Sequence, residues 1–483
     1  MVVSPMPFLN EYPQLKVIQA IARRQKARVY LVGGFLRDHC LKRPCFDMDF
    51  AVEKQAVAFA RGFAKRIKGA FVLLDKEHGC ARVVKKDKQE VRTFDFADFR
   101  ATDIKGDIGL RDFTVNTLCV DINALTPRDE LKDVMLDYRK AKADLKARTI
   151  RMVSLKSFQD DPLRLLRAYS LCAQLGFKIE PKTRARIKKE RALIRRTAAE
   201  RIREELFKIL DTPDAARYLK DMDRAGLLEE VIPQVTLMYG VKQGTYHHLD
   251  VWKHSLETVA QLDKVLEEAG PQTDIGQYLN EPLAGGRTRR AVMKLAALLH
   301  DIGKPETRRK EKDRISFHGH EHVGKSIARS IAQQLKLSTR ERFALQDMVR
   351  WHLRPGYLSN FKKPSERAVF RFMRDAKEEA AGIALLSLAD QRSTRGPATT
   401  QADQIHHEKI CRDLVKRYFD KKKEKPFVRL INGHDLIKEL KLSPSPLFAT
   451  ILEKVEEDQV TGKVRTRVQA LAAARKLADQ GKS

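Results

Sequence analysis

The first residues that could do chemistry are two acids set two apart in an apolar stretch. In "FDMDFAV", Asp47 and Asp49 are flanked by Phe46, Phe50, Ala51 and Val52. Side chains alternate faces along a strand, so Asp47 and Asp49 share one face while Met48 and Phe50 share the other. Like charges so close repel: either the strand end is merely solvated, or a cation belongs between them. Upstream, "ARVYLVGG" reads as a strand entering a glycine turn, and "FLRDHCL" as a short helix after it. Glycines at Gly33 and Gly34 let a phosphate approach the backbone, and a helix N-terminus offers unpaired N–H donors to an anion. Together the two pieces suit a triphosphate held on amides and bridged by divalent ions between Asp47 and Asp49. Such a pair of ions stabilises the attacking and leaving oxygens of an in-line displacement, and the all-oxygen ligands suit magnesium. Asp95 in "TFDFADF" is the candidate third carboxylate; the alternative is a strand-end acid satisfied by a lysine.

The elements that must position these residues follow from the rest of the chain. Residues 27–137 mix strand and helix signals: besides the two strands above, "FVLLD", "ARVVKK" and "VRTFDFADF" read as short strands, and "EKQAVAFARGFAKRIKG" as a helix closed by glycine. Consecutive short strands favour antiparallel pairing. From about residue 139 basic amphipathic helices take over, so the expected class is α+β: a small mixed, largely antiparallel sheet followed by all-helical regions. Residues 269–290 read as a loop or linker, and "KKKEKP", residues 421–426, as a charged break.

At 483 residues the chain is long enough for about three domains, and 42% hydrophobic content is ample for their cores. No apolar run approaches the roughly 18 residues of a membrane span. The stretch "MVVSPMPFLNEYPQLK" has no basic segment followed by an apolar one and a cleavage site, so a cytoplasmic address is expected. Six scattered cysteines have neither the density of a disulfide scaffold nor the paired spacing of a zinc site. Ninety-four Lys and Arg against sixty-four Asp and Glu give a formal charge of +30. That excess attracts polyanions through counterion release, which makes nucleic acid the leading partner over a merely soluble basic surface. Aromatic residues are only 7%, favouring backbone and shape recognition over base stacking.

"LVGGFLRDHCLKRPCFDMDFAV", "IGLRDFTVNTLCVDI", "DDPLRLLRA" and "ERIREELFKIL" resemble, in order, the motifs of the bacterial tRNA nucleotidyltransferase and poly(A) polymerase family, which includes CCA-adding enzymes. The resemblance runs from about residue 27 to 235. It implies a nucleotidyltransferase head in which Asp47 and Asp49 carry metal and Gly33, Gly34, Arg37 and Asp38 form the nucleotide-site segment. Arg111, Asp112 and Asn116 match the ribose and phosphate side, with Leu110 and Thr117 departing from the family's arginine and alanine. Arg100 and Asp107 fall on the connection before that motif. "DDPLR" resembles E-D-x-x-R, by which the family reads the incoming base: Asp161 accepts from an exocyclic amine and Arg164 donates to ring acceptors, selecting C or A. On a helix the two would face one side, with Arg167 continuing that face and an ordinary surface ion pair as the alternative. Lys140 and Ala141 replace glycines between head and neck, which implies a stiffer hinge.

Farther on, the ordered series His254, His300, Asp301 and Asp390 resembles the H…HD…D set of HD phosphohydrolases over roughly residues 245–395. His320 and His352 could add a second metal's ligands. Imidazole mixed with carboxylate suits transition metals such as manganese, nickel or cobalt; the alternative is a scaffold that binds metal without turnover. "INGHDLIKELKLSPSP" is similar to the family's N-G-x-D-L-I…P-G-P tail, Ser445 replacing glycine, with helices that support tRNA or a dimer. The implied organisation is a head at 1–138, a helical neck and body at 139–240, an HD domain at 241–420 and a helical tail at 421–483. The implied activity is addition of C and/or A to tRNA 3′ ends from CTP and ATP. CC-only, A-only and poly(A) addition share the head motifs, and a metal-dependent phosphohydrolase is the alternative from another class. Oligomeric state is left open.

Overall fold

Short β-branched and aromatic runs, interrupted by glycine or charge, build a seven-stranded sheet: β1 Val29–Val32, β2 Asp47–Val52, β3 Ala70–Asp75, β4 Cys80–Asp87, β5 Glu90–Asp98, β6 Leu118–Asp121 and β7 Leu136–Asp137. In this computed structural model, which describes residues 7–87, 90–311, 314–424 and 427–480, their order is β3-β4-β5-β2-β1-β6-β7. All neighbours pair antiparallel except β2 and β5, which run parallel because a helix and the β3–β4 hairpin carry the chain back between them. The first five strands lie where sequence alternation places them. β6 and β7 do not announce themselves, being four and two residues long, too short for a period of two to register.

The helix Ala56–Ile67 buries Ala56, Phe59, Ala60, Phe63 and Ala64, a stripe at helical spacing. It lies on one face of the sheet, where Phe50 stacks on Phe96 with ring centroids 5.0 Å apart and Phe63 meets Phe94 edge-on at 5.1 Å. The helix does not end on the expected glycine: Lys68 takes the left-handed conformation at φ 53, and Gly69 follows. A Cβ on Gly69 would stand 3.0 Å from the Val84 carbonyl oxygen, so the glycine there serves close passage under β4. On the other face Tyr30, Val32, Ala51 and Cys119 pack with Ile104 and Ile108, beside the acids. Lys140, where glycine was replaced, enters the helix Ala141–Lys146 at φ 60, a conformation that favours glycine.

One compact unit comprises Met1–Glu205 and Met222–Val231; the other comprises Leu206–Asp221 and Ile232–Ser483. Among the described residues the second is helical apart from two short two-stranded ribbons. Its central helix, Ala380–Ser393, is apolar nearly all round and buried along most of its length, as such a pattern requires. Segment 206–221 is tied into this unit: the Ala216 amide donates to Asp263 at 3.1 Å, and Lys294 donates to the Thr212 carbonyl. Residues 269–290 are not a bare linker. Thr273 caps the helix Asp274–Asn280, and Pro282–Ala284 pairs with Arg287–Thr288 across Gly285 and Gly286, both at positive φ. The charged break is displaced too, since the helix Gln401–Lys423 runs through its first three lysines; Lys425 and Pro426 lie outside the described residues. The last three helices, Gly433–Leu440, Leu447–Val460 and Arg467–Gln480, close on Leu436, Ile451, Val455, Ala470 and Ala474. No described helix is long and apolar enough to cross a membrane.

Phe96 contacts three other rings and is 1% exposed. Phe96→Ala should therefore cost about 3–5 kcal/mol in the unfolding transition of the first unit. Denaturant titration of the full chain measures this, and a loss below about 1 kcal/mol would contradict the packing described.

Candidate functional site

The register of three strands assembles the acidic face. Asp49 stands opposite Val32 of β1 on one side and Asp95 of β5 on the other, while Asp47 stands opposite Thr93. Asp47 is exposed and Asp49 half-buried, with Met48 and Phe50 buried on the reverse face as strand alternation requires. The Thr93 hydroxyl donates to Asp47 Oδ1. β1 then turns at Gly33, whose φ is +83; a Cβ there would come 2.8 Å from Asp49 Oδ2 and 3.5 Å from an Arg111 terminal nitrogen. Only glycine meets both demands, and the turn leads directly into the helix Gly34–Cys40. Burial pushes the Asp49 carboxyl up against the pull of Arg111, with Asp95 and Asp47 adding to the upward push. Asp95 lies beside Asp49 with both oxygens held at 2.7 Å by Arg82, an arginine where the sequence suggested a lysine as the alternative partner.

The matched motifs meet through side chains. Arg37 donates to Asp38 at 3.0 and 2.8 Å and to Asn116 Oδ1 at 2.8 Å. The Asn116 amide donates to Asp112 at 3.0 Å, and Arg167 reaches Asp112 at 2.9 Å. The glycine-turn helix, the 111–116 segment and the 161–167 segment thus form one chain of hydrogen bonds. Arg111 contacts Asp107 at 3.4 Å, and Asp107 also accepts from Arg100 at 2.9 Å.

Asp161 and Arg164 do not share a helix. Pro162 excludes helical geometry from the residue before it, so Asp161 is extended at φ −146, ψ 100, and the helix Arg164–Leu175 starts afterwards. Asp161 pairs with Arg201 at 2.9 Å, while Arg164 donates to the Leu110 carbonyl at 2.9 Å and the Ser157 hydroxyl at 3.1 Å. Arg82, Thr93 and Arg201 escaped sequence reasoning because each meets the site only through tertiary pairing.

A second cluster lies in the second unit. His254 comes from the helix Val251–Ala269, His300 and Asp301 follow Arg289–Leu299, and Asp390 sits on Ala380–Ser393. His254 Nε2 is 2.9 Å from Asp390 Oδ1, and His300 Nε2 is 3.2 Å from Asp301 Oδ2 and 3.7 Å from Asp390. His320 and His352 approach Asp301 Oδ1 at 3.3 and 3.8 Å, giving two adjacent ligand groups: His254, His300 and Asp390, and Asp301, His320 and His352. The Nδ1 atoms of His300, His320 and His352 each lie 2.8 Å from the carbonyl three residues back. A carbonyl only accepts, so each Nδ1 carries a proton and each Nε2 is the ring nitrogen that faces the cluster. His300 Nε2 is buried with no hydrogen bond of its own. Burial opposes charge here, yet attraction to Asp301 and Asp390 lifts His300 to about 10, and both carboxyls are held well below their usual range. Both the acidic face and this cluster fit divalent cations by donor chemistry. A cavity of about 900 Å³ opens on the second cluster, lined also by Lys304 and His247, which the sequence reading missed. Lys304 lies 2.6 Å from Asp301, and the His247 ring is 4.7 Å from that of His254.

Burial pushes Asp112 up, but Arg167, the Asn116 amide and the Phe113 N–H together hold it below the ordinary carboxylate range. A depressed folded-state pKa gives stability that is present above the unfolded value and lost as pH falls through the folded one. Asp112→Asn should cost about 1–2 kcal/mol at pH 7, because Arg167 is 45% exposed and water screens the pair. The difference from wild type should begin to shrink below about pH 4 and close once pH is below the depressed folded-state value. Urea unfolding at pH 7 and pH 3 tests this; a difference that ignores pH would refute the assignment of charge.

A poly A polymerase head domain model matches residues 29–151, a "Probable RNA and SrmB- binding site of polymerase A" residues 176–238, an HD domain 251–395 and a tRNA nucleotidyltransferase domain 2 model 378–474. An A-adding tRNA nucleotidyltransferase of Deinococcus radiodurans is 30% identical over 93% of this chain and 95% of its own. A CC-adding tRNA nucleotidyltransferase of Geobacter sulfurreducens is 30% identical over 95% and 94%. The fold is that of a Thermotoga maritima CCA-adding enzyme complexed with tRNA, at a TM-score of 0.60, 20% identity and coverage of 98% and 96%. With 30% identity sustained over nearly the full length of both relatives, this chain belongs to the tRNA nucleotidyltransferase family.

Proposed function

We propose that the protein adds C and/or A nucleotides to tRNA 3′ ends without a template, using CTP and ATP and releasing pyrophosphate. The observation that carries this reading is Asp49 set directly against the Gly33 turn, with Asp47 two residues before it on the same strand face. Asp47 and Asp49 hold magnesium, which supplies charge neutralisation for an in-line displacement at the α-phosphate. Gly33 and Gly34 admit the triphosphate to the backbone, with Arg111 beside Gly33 and Arg37 beside Gly34. Asp112, Asn116 and Arg167 keep Arg37 in place through their shared hydrogen bonds. Asp161 and Arg164 read the base, exchanging Arg201 and the Leu110 carbonyl for its polar edge. Each exchange trades one hydrogen bond for another, so only a base with matching donor and acceptor leaves no group unpaired.

The organisation proposed for this activity is a head at 1–138, a neck and body at 139–240, an HD domain at 241–420 and a tail at 421–483, working in the cytoplasm. Relatives named A-adding and CC-adding are equally similar. The choice among CCA, CC-only and A-only addition is therefore made by offering tRNAs lacking one, two or three terminal nucleotides with single nucleoside triphosphates. A second activity, metal-dependent phosphohydrolysis, is favoured by the convergence of four histidines and two carboxylates, of which His352, Asp301 and Asp390 line the cavity. There His254, His300, Asp301 and Asp390 hold a transition metal.

Asp47→Ala and Asp49→Ala should each lower addition by at least about a thousandfold while tRNA affinity stays within a few-fold, since phosphate neutralisation by the basic helices does not need these acids. Addition and filter-binding assays on the same preparations test this, and near-normal addition would remove the site. His300→Ala with Asp301→Ala should abolish phosphatase activity on small nucleotide esters in manganese, nickel or cobalt and leave addition in magnesium intact. Loss of addition in a folded, tRNA-binding double variant would show that the two centres are not independent.

A further inference from the structure

One charged side chain on the acidic face belongs to none of the motifs. Arg82 of β4 stands opposite Asp95 of β5, and Asp95 stands opposite Asp49 of β2, so the three form one row across the sheet. Directly paired residues share a face, away from Ala81, Val83, Phe94 and Phe96, which are buried on the reverse. Arg82 uses its Nε and one terminal nitrogen on the two oxygens of Asp95, leaving the other terminal nitrogen outside the pair. Its side chain is 42% exposed against 28% for Asp95. Alternation also brings Lys86, an exposed residue farther along β4, to the same face.

We propose that Arg82 binds a phosphodiester of the RNA acceptor strand beside its 3′ end, and that Asp95 is the positioning residue that holds it. This rests on the nucleotide-addition reading above. In an in-line displacement the attacking 3′ oxygen and the leaving pyrophosphate lie on opposite sides of the α-phosphorus. Gly33 and Arg111, the triphosphate side, meet Asp49 from the β1 edge. The strand order β4-β5-β2-β1 puts Arg82 on the other side of Asp49, where the attacking strand must then arrive. A planar guanidinium with unused donors suits a phosphodiester, and one already fixed by a carboxylate loses little rotamer freedom on binding. A carboxylate whose two oxygens are both engaged by arginine is correspondingly a poorer metal ligand than Asp47 or Asp49.

Steady-state addition to a tRNA transcript lacking its 3′ terminal nucleotides, varying RNA and nucleotide separately, tests the proposal. Arg82→Ala should raise KM for RNA about tenfold or more, leave KM for CTP and ATP within about twofold, and flatten the salt dependence of RNA binding by about one charge. Arg82→Lys should recover part of the loss, and Arg82→Gln gives the same measurement should the alanine variant not fold. Asp95→Asn should shift the same KM, and the double variant Arg82→Ala with Asp95→Asn should be no worse than Arg82→Ala alone. An unchanged KM for RNA, or a change confined to the nucleotide KM, overturns the proposal. So does an Asp95→Asn variant that loses kcat with KM for RNA intact, the signature of a metal ligand. A wild-type protein that transfers no nucleotide refutes the underlying reading instead, and that is seen before any variant is made.

Discussion

The arrangement depends on how closely the backbone at Gly33 passes Asp49. Any side chain at that turn would displace a carboxylate oxygen, so the strand pairing, the sign of φ and the choice of residue are a single constraint. β1 must end opposite Asp49, which requires the antiparallel register with β2; Arg111 must fill the space on the far side, which requires the 111–116 segment to pack beneath the turn. Phosphate chemistry needs bare amides next to acidic side chains, and a sheet offers that only where a strand ends in glycine against a neighbour carrying the acids. The aromatic layer on the reverse face holds β2 and β5 together and so keeps the acids in line.

Much of this was legible in the sequence because it is local. Alternation alone put Asp47 and Asp49 on one face, and "EKQAVAFARGFAKRIKG" read directly as the helix that becomes Ala56–Ile67. What was not legible depends on partners distant in the chain or on a single backbone exclusion. Asp161 and Arg164 look like helix neighbours until Pro162 is allowed to act on the residue before it. The Arg82–Asp95 pair joins residues 13 apart through a hairpin, and Arg201 reaches Asp161 from 40 residues away. Nothing in the spacing of these residues distinguishes them from the many other arginines of a basic chain. Gly69 looked like a helix terminator and is instead a point of close passage, a difference visible only once β4 lies over it.

The histidine cluster shows a different economy. Three of its rings are fixed by the same short device, a bond from Nδ1 to the carbonyl three residues earlier, made where a helix ends or begins. The chain segment that supplies each ligand therefore also sets its tautomer, without help from another element. His254 is the exception: its Nδ1 lies 3.1 Å from the hydroxyl of Ser393, on the helix that carries Asp390. That ring is oriented by the element it faces, so the central buried helix supplies both a ligand and the means of aiming another.

The interleaving of the two units has a consequence for biosynthesis. Segment 206–221 belongs to the second unit, whereas 222–231, made after it, completes the first. When the ribosome has finished everything the first unit needs, Leu206, Phe207, Ile209, Leu210 and Leu219, all buried in the mature protein, still await partners among residues 232–483. At about 5–20 residues per second, the nascent chain carries these apolar side chains, from the helices Ala199–Leu210 and Ala215–Arg224, for roughly ten seconds or more before the rest of the second unit is made. The interval is built into the order of the segments.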